Sequence, residues 1–348
     1  MPILSSELLR RLPKAELHCH LDGSVRPATL IDLGREYSQR MPANDPDALA
    51  EYMRVDDARH LEDYLARFEV TLSVMQTAEA LERIAYELST DAAKEGVRYI
   101  EVRYAPVLNT RRGLSLGAAV EAPVRGLERA EQDGGAIGRV IVCGLRNLTP
   151  DVSFELARLA VSYKGRGVVA FDLAGGELGN PASAHADAFA YAREHDLPCT
   201  CHAGEGADAS SVREAVHVCG AHRIGHATRL IEDESLTNYV NDRRIALEIC
   251  LTSNVQTRAV ESYEQHPLRD YYDRGMNVVL NTDNRLMSGT TLTDEYVHAA
   301  NTLGFSFDEL AEVALNGFRS AFLPWAERER LIAAAEADIV ALDGAGLP

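Results

Sequence analysis

Ala15-Glu16-Leu17-His18-Cys19-His20-Leu21-Asp22-Gly23 sets polar residues at alternate positions in an apolar run. In an extended strand, side chains alternate between faces, so His18, His20 and Asp22 project together while Cys19 and Leu21 point the other way. One strand then offers two imidazoles to one cation. Taken alone, the run also suits a buried strand with two ordinary polar residues, so its meaning depends on what lies around it.

Short apolar, β-branched runs recur along the chain at 15–22, 97–105, 137–145, 167–174, 198–203, 222–227, 245–252 and 277–283. Eight such runs separated by amphipathic segments predict an α/β fold, a closed (β/α)8 TIM-type barrel, with a doubly wound parallel sheet as runner-up. No Gly-x-Gly-x-x-Gly run supports the latter. The helices of this pattern have legible ends. Thr77 is an N-cap for a stripe of Leu81, Ile84, Ala85 and Leu88, which Gly96 closes; Ser306-Phe307-Asp308-Glu309 is a capping box ahead of Leu310, Val313, Ala314 and Phe318.

About 70 residues separate the first run from the second, roughly twice what a βα unit needs, which predicts a helical insertion near the barrel mouth. Within it Leu61, Tyr64, Leu65 and Phe68 have helical spacing, either as an apolar gate over a pocket or as the face that packs this helix on the barrel. No repeat or linker divides the chain. A single domain is expected, its barrel core spanning about 13–335, with a frayed tail around Asp343-Gly344-Ala345-Gly346.

The 348 residues include 53 acidic and 35 basic side chains, a formal charge of -18 that argues against nucleic acid or an anionic membrane as partner. A neutral small molecule or a bound cation fits better. Cys19, Cys143, Cys199, Cys201, Cys219 and Cys250 have no zinc-knuckle spacing and fall mostly in apolar runs, so they read as reduced core residues of a cytoplasmic protein. The first residues lack a signal-peptide pattern, and no apolar stretch approaches the roughly 20 residues of a membrane span. Nothing in the residues sets an oligomeric state.

Three further clusters fall at the ends of predicted strands, where barrel enzymes place their chemistry: His202-Ala203-Gly204-Glu205, Arg223-Ile224-Gly225-His226 and Asn281-Thr282-Asp283-Asn284. Thr200 and His202 share one face of the fifth strand and Cys199 and Cys201 the other, which keeps the thiols out of a metal set. His18, His20, His202 and Asp283 make a nitrogen and oxygen set suited to zinc, with iron, cobalt or manganese as alternatives, and leave a position for water. Each cluster alone is weak. All four, in order and each at a strand end, point to a mononuclear metal-hydrolase site.

The chain resembles the adenosine deaminase family of the metal-dependent amidohydrolases along nearly its whole length. The resemblance is carried by Pro13-Lys14-Ala15-Glu16-Leu17-His18-Cys19-His20-Leu21-Asp22-Gly23, Glu101-Val102-Arg103-Tyr104-Ala105-Pro106, Asp172-Leu173-Ala174-Gly175, His202-Ala203-Gly204-Glu205, Arg223-Ile224-Gly225-His226 and Asn281-Thr282-Asp283. It implies a (β/α)8 barrel with one Zn2+ per chain on His18, His20, His202 and Asp283, lowering the pKa of a bound water from 15.7 to about 7. It implies that His226 and Asp283 orient that water and accept its proton, while protonated Glu205 donates to purine N1, which requires a raised pKa. His20, Asp22, Gly175 and Asn284 would meet the substrate: Asp22 the ribose, the Gly175 N–H purine N3, and Asn284 purine N7.

Three positions depart from the family's commoner pattern. A second aspartate and a proline usually follow the metal aspartate, where this chain has Asn284-Arg285; an asparagine amide can still donate to N7. Leu251 stands where proline is frequent. Asp22, where the adenine-specific branch has the longer glutamate, favours a nucleoside, so adenosine or its 2'-deoxy form is the expected substrate, with adenine and 6-aminodeoxyfutalosine as alternatives. A two-metal barrel hydrolase is disfavoured because the fourth strand ends Phe171-Asp172-Leu173-Ala174-Gly175 without a bridging lysine, and a non-catalytic purine-binding protein because no ligand and no Glu205 is missing. Arg98, Glu101 and Arg103 are expected to pair at a barrel end.

Overall fold

The computed structural model describes residues 4–54 and 67–344, with side chains to 342. All eight predicted runs are strands: β1 Lys14–His20, β2 Val97–Tyr104, β3 Ile137–Leu145, β4 Val168–Ala174, β5 Thr200–Ala203, β6 Arg223–His226, β7 Ala246–Ile249 and β8 Val278–Leu280. They pair in parallel in the order β1-β2-β3-β4 and β5-β6-β7-β8. Isolated bridges between Phe171 and Cys199 and between Cys19 and Asp283 join the two halves. The second seam is a reciprocal pair in which His20 N donates to Asp283 O at 2.7 Å and Asp283 N to His18 O at 2.9 Å. The fold is therefore the TIM-type barrel, not the doubly wound sheet.

The strands are buried on both faces, as a parallel sheet clad in helices requires. Their outward apolar residues meet stripes of the kind read from the sequence. Helix Ala78–Lys94 has Thr77 as its N-cap, accepting from Ala80 N at 3.2 Å, and buries Leu81, Ile84, Ala85 and Leu88. Such a cap contributes about 1 kcal/mol. Gly96, at φ +89°, follows the helix; a Cβ there would lie 2.4 Å from the Arg10 carbonyl oxygen. Helix Phe307–Ser320 opens with the full capping box of Ser306 and Glu309. The long first connection carries helices Pro27–Glu36, Pro46–Met53 and Phe68–Leu72 ahead of Ala78–Lys94.

The barrel interior is charged beneath the C-terminal mouth. Glu101, Arg103, Asp172, Arg223 and Glu248 are all at most 1% exposed. Arg103 bridges Asp172 at 3.1 Å and Glu248 at 2.9 Å; Arg223 bridges Glu248 at 2.6 Å and Glu101. This corrects the expectation for Arg103, which lies inside the barrel under the site; Arg98 does pair at the periphery, with Asp338 at 3.4 Å. All six cysteines are free and buried. Among the described residues no helix is long and apolar enough to cross a membrane.

Candidate active site

The C-terminal ends of β1, β5, β6 and β8 bring four of the expected groups together. The nearest side-chain donor atoms of His18, His202, His226 and Asp283 all lie within 4.8 Å of one another. His20 joins them, its Nε2 3.0 Å from His202 Nε2 and 3.4 Å from Asp283 Oδ1. His226, Ala227 and Asp283 take positive φ of +64°, +54° and +62°, a left-handed backbone that non-glycine residues adopt at about 1 kcal/mol or more. At two strand ends that turn carries a functional side chain into the mouth. Gly225 has no room for a side chain, because a Cβ would lie 2.9 Å from His18 Cε1 and 3.2 Å from His202 Cα.

Carboxylates stand behind two of the histidines. His18 Nδ1 is 2.9 Å from Glu248 Oε2, and His202 Nδ1 is 3.2 Å from Asp172 Oδ1. A carboxylate only accepts, so each ring carries hydrogen on Nδ1 and, in its neutral form, turns a bare Nε2 to the centre. Burial holds the His20 and His202 pKa values below the usual imidazole range. His18 goes the other way: burial and Arg103 oppose its proton, but Asp283 and Glu248, one at each ring nitrogen, outweigh them. Burial alone would push Asp283 up, yet the histidines hold it well below the carboxylate range.

These groups fit a cation. His18 Nε2 is buried without a hydrogen-bond partner, 3.3 Å from Asp283 Oδ1, and His20 Nε2 and His202 Nε2 converge at 3.0 Å. Ser253 Oγ donates to Asp283 Oδ2 at 2.6 Å and leaves Oδ1 turned to the histidines.

Beside this cluster opens a cavity of about 240 Å3. Its walls include Asp22, Gly175, Glu205, His226 and Asn284, together with Phe68, Leu72 and Leu108 on the apolar side. Of the four gate candidates, Phe68 is thus at the cavity, while Leu61, Tyr64 and Leu65 lie outside the described residues. Asp22 Oδ1 and Asn284 Oδ1 are buried without hydrogen-bond partners, and burial raises the Asp22 pKa to about 7. Glu205 lies with Oε2 3.5 Å from His226 Nε2. Arg285, in place of the family's proline, pairs with Glu16 of β1 and with Glu95.

Several supporting residues had gone unassigned. Glu177 accepts four consecutive backbone N–H groups, from Gly204 at 2.7 Å, Glu205 at 2.9 Å, Gly206 at 2.6 Å and Ala207 at 3.1 Å. Arg146 spans from the His202 carbonyl to that of Asn180, at 2.5 and 2.8 Å, tying the β5 loop to the β4 loop. Glu248 was visible as a lone charge in Ala246-Leu247-Glu248-Ile249, where it demanded an interior partner.

Residues 13–337 match the family described as adenosine deaminase. The chain belongs to the adenosine deaminase family. It is 41% identical to an adenosine deaminase of Mycobacteroides abscessus over 93% of this chain and 94% of that one. It is also 41% identical to a probable adenosine deaminase of Dictyostelium discoideum, matching 92% of this chain but spanning only 42% of that longer protein. Among solved structures, an adenine deaminase from Arthrobacter aurescens superposes with TM-score 0.86 at 28% identity, covering 93% of this chain and 98% of that one. Deaminases named for adenosine and for adenine are thus both similar to this chain.

Proposed function

We propose that this chain is a zinc-dependent hydrolytic deaminase converting adenosine, and 2'-deoxyadenosine, to the 6-oxo nucleoside and ammonia, with residues 1–348 as one domain whose barrel core spans about 13–335. The reading is carried by a single relationship: Glu205, an acid within reach of a purine ring, stands 3.5 Å from His226 at the rim of a cation-fitting cluster. Three imidazoles and one carboxylate, His18, His20, His202 and Asp283, would hold one Zn2+. Bound there, zinc supplies the Lewis acidity that makes water nucleophilic near neutral pH.

The chain's own groups do the rest. Glu205 donates a proton to N1, relieving the charge that attack at C6 pushes into the ring. The Gly175 N–H and the Asn284 amide hold the N3 and N7 edges, and apolar Phe68, Leu72 and Leu108 keep bulk water from the ring. Asp22, whose Oδ1 has no hydrogen-bond partner in the protein, accepts from a ribose hydroxyl. Its short side chain leaves room for the sugar, which favours nucleoside over free adenine. The six free, buried thiols support a cytoplasmic setting.

The deciding experiment offers adenosine, 2'-deoxyadenosine, adenine and 6-aminodeoxyfutalosine separately to the zinc-loaded protein and follows ammonia release. Adenosine turning over fastest is expected. Turnover of adenine alone would overturn the role given to Asp22. Glu205→Gln should retain zinc and lose kcat by at least about a hundredfold.

A further inference from the structure

His226 is backed differently from the metal-facing histidines. Where His18 and His202 have carboxylates behind Nδ1, His226 Nδ1 lies 2.9 Å from Asn254 Nδ2, and Asn254 Oδ1 lies 3.2 Å from His266 Nε2. The direction of every bond in this chain follows from its far end. There the Leu268 backbone N–H, which can only donate, reaches His266 Nδ1 at 3.0 Å. His266 Nδ1 is therefore an acceptor. The ring is buried and its pKa is pushed down to about 3, so it is neutral and carries its hydrogen on Nε2. That hydrogen obliges Asn254 to present oxygen to His266 and its NH2 to His226. A donating amide in turn obliges His226 Nδ1 to accept.

We propose that His266 and Asn254 are positioning residues that set the tautomer of His226, so that its neutral ring presents Nε2–H to the cavity. The inference deepens the reading of the chain as a purine deaminase and rests on it. It changes the role expected for His226. A ring whose Nε2 already carries hydrogen steadies negative charge on the attacking oxygen or on Glu205, and does not take a proton from water. It also separates the histidines by function without reference to the cation: rings backed by carboxylates turn a lone pair inward, and the ring backed by an amide turns a hydrogen inward. All three relay side chains are at most 3% exposed, so water does not compete for these bonds.

The test is spectroscopic and kinetic on the zinc-loaded, 15N-histidine-labelled full chain. Two-bond 15N–1H correlations read which nitrogen of His226 carries hydrogen. The Nε2–H form is expected in the wild type. Asn254→Asp replaces the donor with an acceptor; it should move the hydrogen to Nδ1 and lower kcat on adenosine about a hundredfold with zinc content unchanged, because a misplaced proton on a catalytic imidazole is costly. His266→Gln, whose amide nitrogen reaches the place of Nε2, should keep the Nε2–H form and most of kcat, whereas His266→Leu should lose both. An Nδ1–H signal for His226 in the wild type overturns the proposal. So does an Asn254→Asp protein with tautomer and kcat unaltered, or His266→Gln and His266→Leu behaving alike. Should Asn254→Asp fail to fold, the two His266 variants carry the same decision. A wild type inert on every purine would remove the functional reading, while the tautomer signals would still decide the relay.

Discussion

Glu248 Oε2 lies 2.9 Å from His18 Nδ1, and both side chains are wholly excluded from water. Burial would raise the Glu248 pKa, but Arg103, Arg223 and His18 hold it far below the usual range, so the carboxylate is charged and steers the ring. Glu248→Gln leaves two buried guanidinium groups short of charge and loosens the ligand. A loss of about 3 kcal/mol in unfolding free energy is expected, with about 10- to 100-fold weaker zinc binding. Denaturant unfolding and competition with a chelator measure the two effects; unchanged zinc affinity would remove Glu248 from the site.

Gly225→Ala places a methyl group within 2.9 Å of the His18 ring. The β6 backbone cannot yield far without moving His226, so the ring must shift. A drop of about tenfold or more in zinc affinity is expected with the fold retained, read by metal content after dialysis at limiting zinc. Full occupancy would show that the ring tolerates displacement.

Glu177 gathers the amides from Gly204 to Ala207, so it holds the peptide that carries Glu205. Glu177→Gln puts an NH2 group among four donors. We expect kcat to fall by about a hundredfold and the 204–207 amides to exchange faster with deuterium. Equal exchange in both proteins would discard the clamp.

Glu295 accepts from Thr252 N at 3.2 Å and from Thr290 Oγ1 at 2.9 Å, but burial prevails and raises its pKa to about 7. A carboxyl raised on folding contributes stability that is complete below its unfolded pKa and is lost as pH climbs through the folded value. Glu295→Gln has no such loss. Its melting temperature should therefore gain on the wild type between about pH 5 and pH 8. Parallel curves would mean that Glu295 is ionised throughout.

The fold was legible because two signals coincided. The strands recur as apolar runs, and the polar clusters sit at their ends, so the ends of β5, β6 and β8 were marked twice. His18, His20, His202 and Asp283 stood out for the same reason, and the structure sets His20 Nε2 beside His202 Nε2 and Asp283 Oδ1, with His18 Nε2 3.3 Å from Asp283 Oδ1. The layer behind them was not. Asp172 stood inside a quoted motif, yet its task depends on which ring nitrogen it faces across the barrel. Asn254 and His266 have no local signature at all, since their part follows only from the direction of hydrogen bonds that fold and ring orientation create. Glu177 follows two glycines and reads locally as a turn.

The seam where Asp283 meets β1 has a bearing on how the protein comes into being. His18 and His20 are made early, and the backbone groups of β1 wait for partners such as Asn281, 263 residues further along. A nascent chain thus exposes two imidazoles with neither the opposing carboxylate nor the closed ring. The donor set is therefore incomplete until the last strand docks, and a cation that needs Asp283 as a ligand can be held only by the closed barrel.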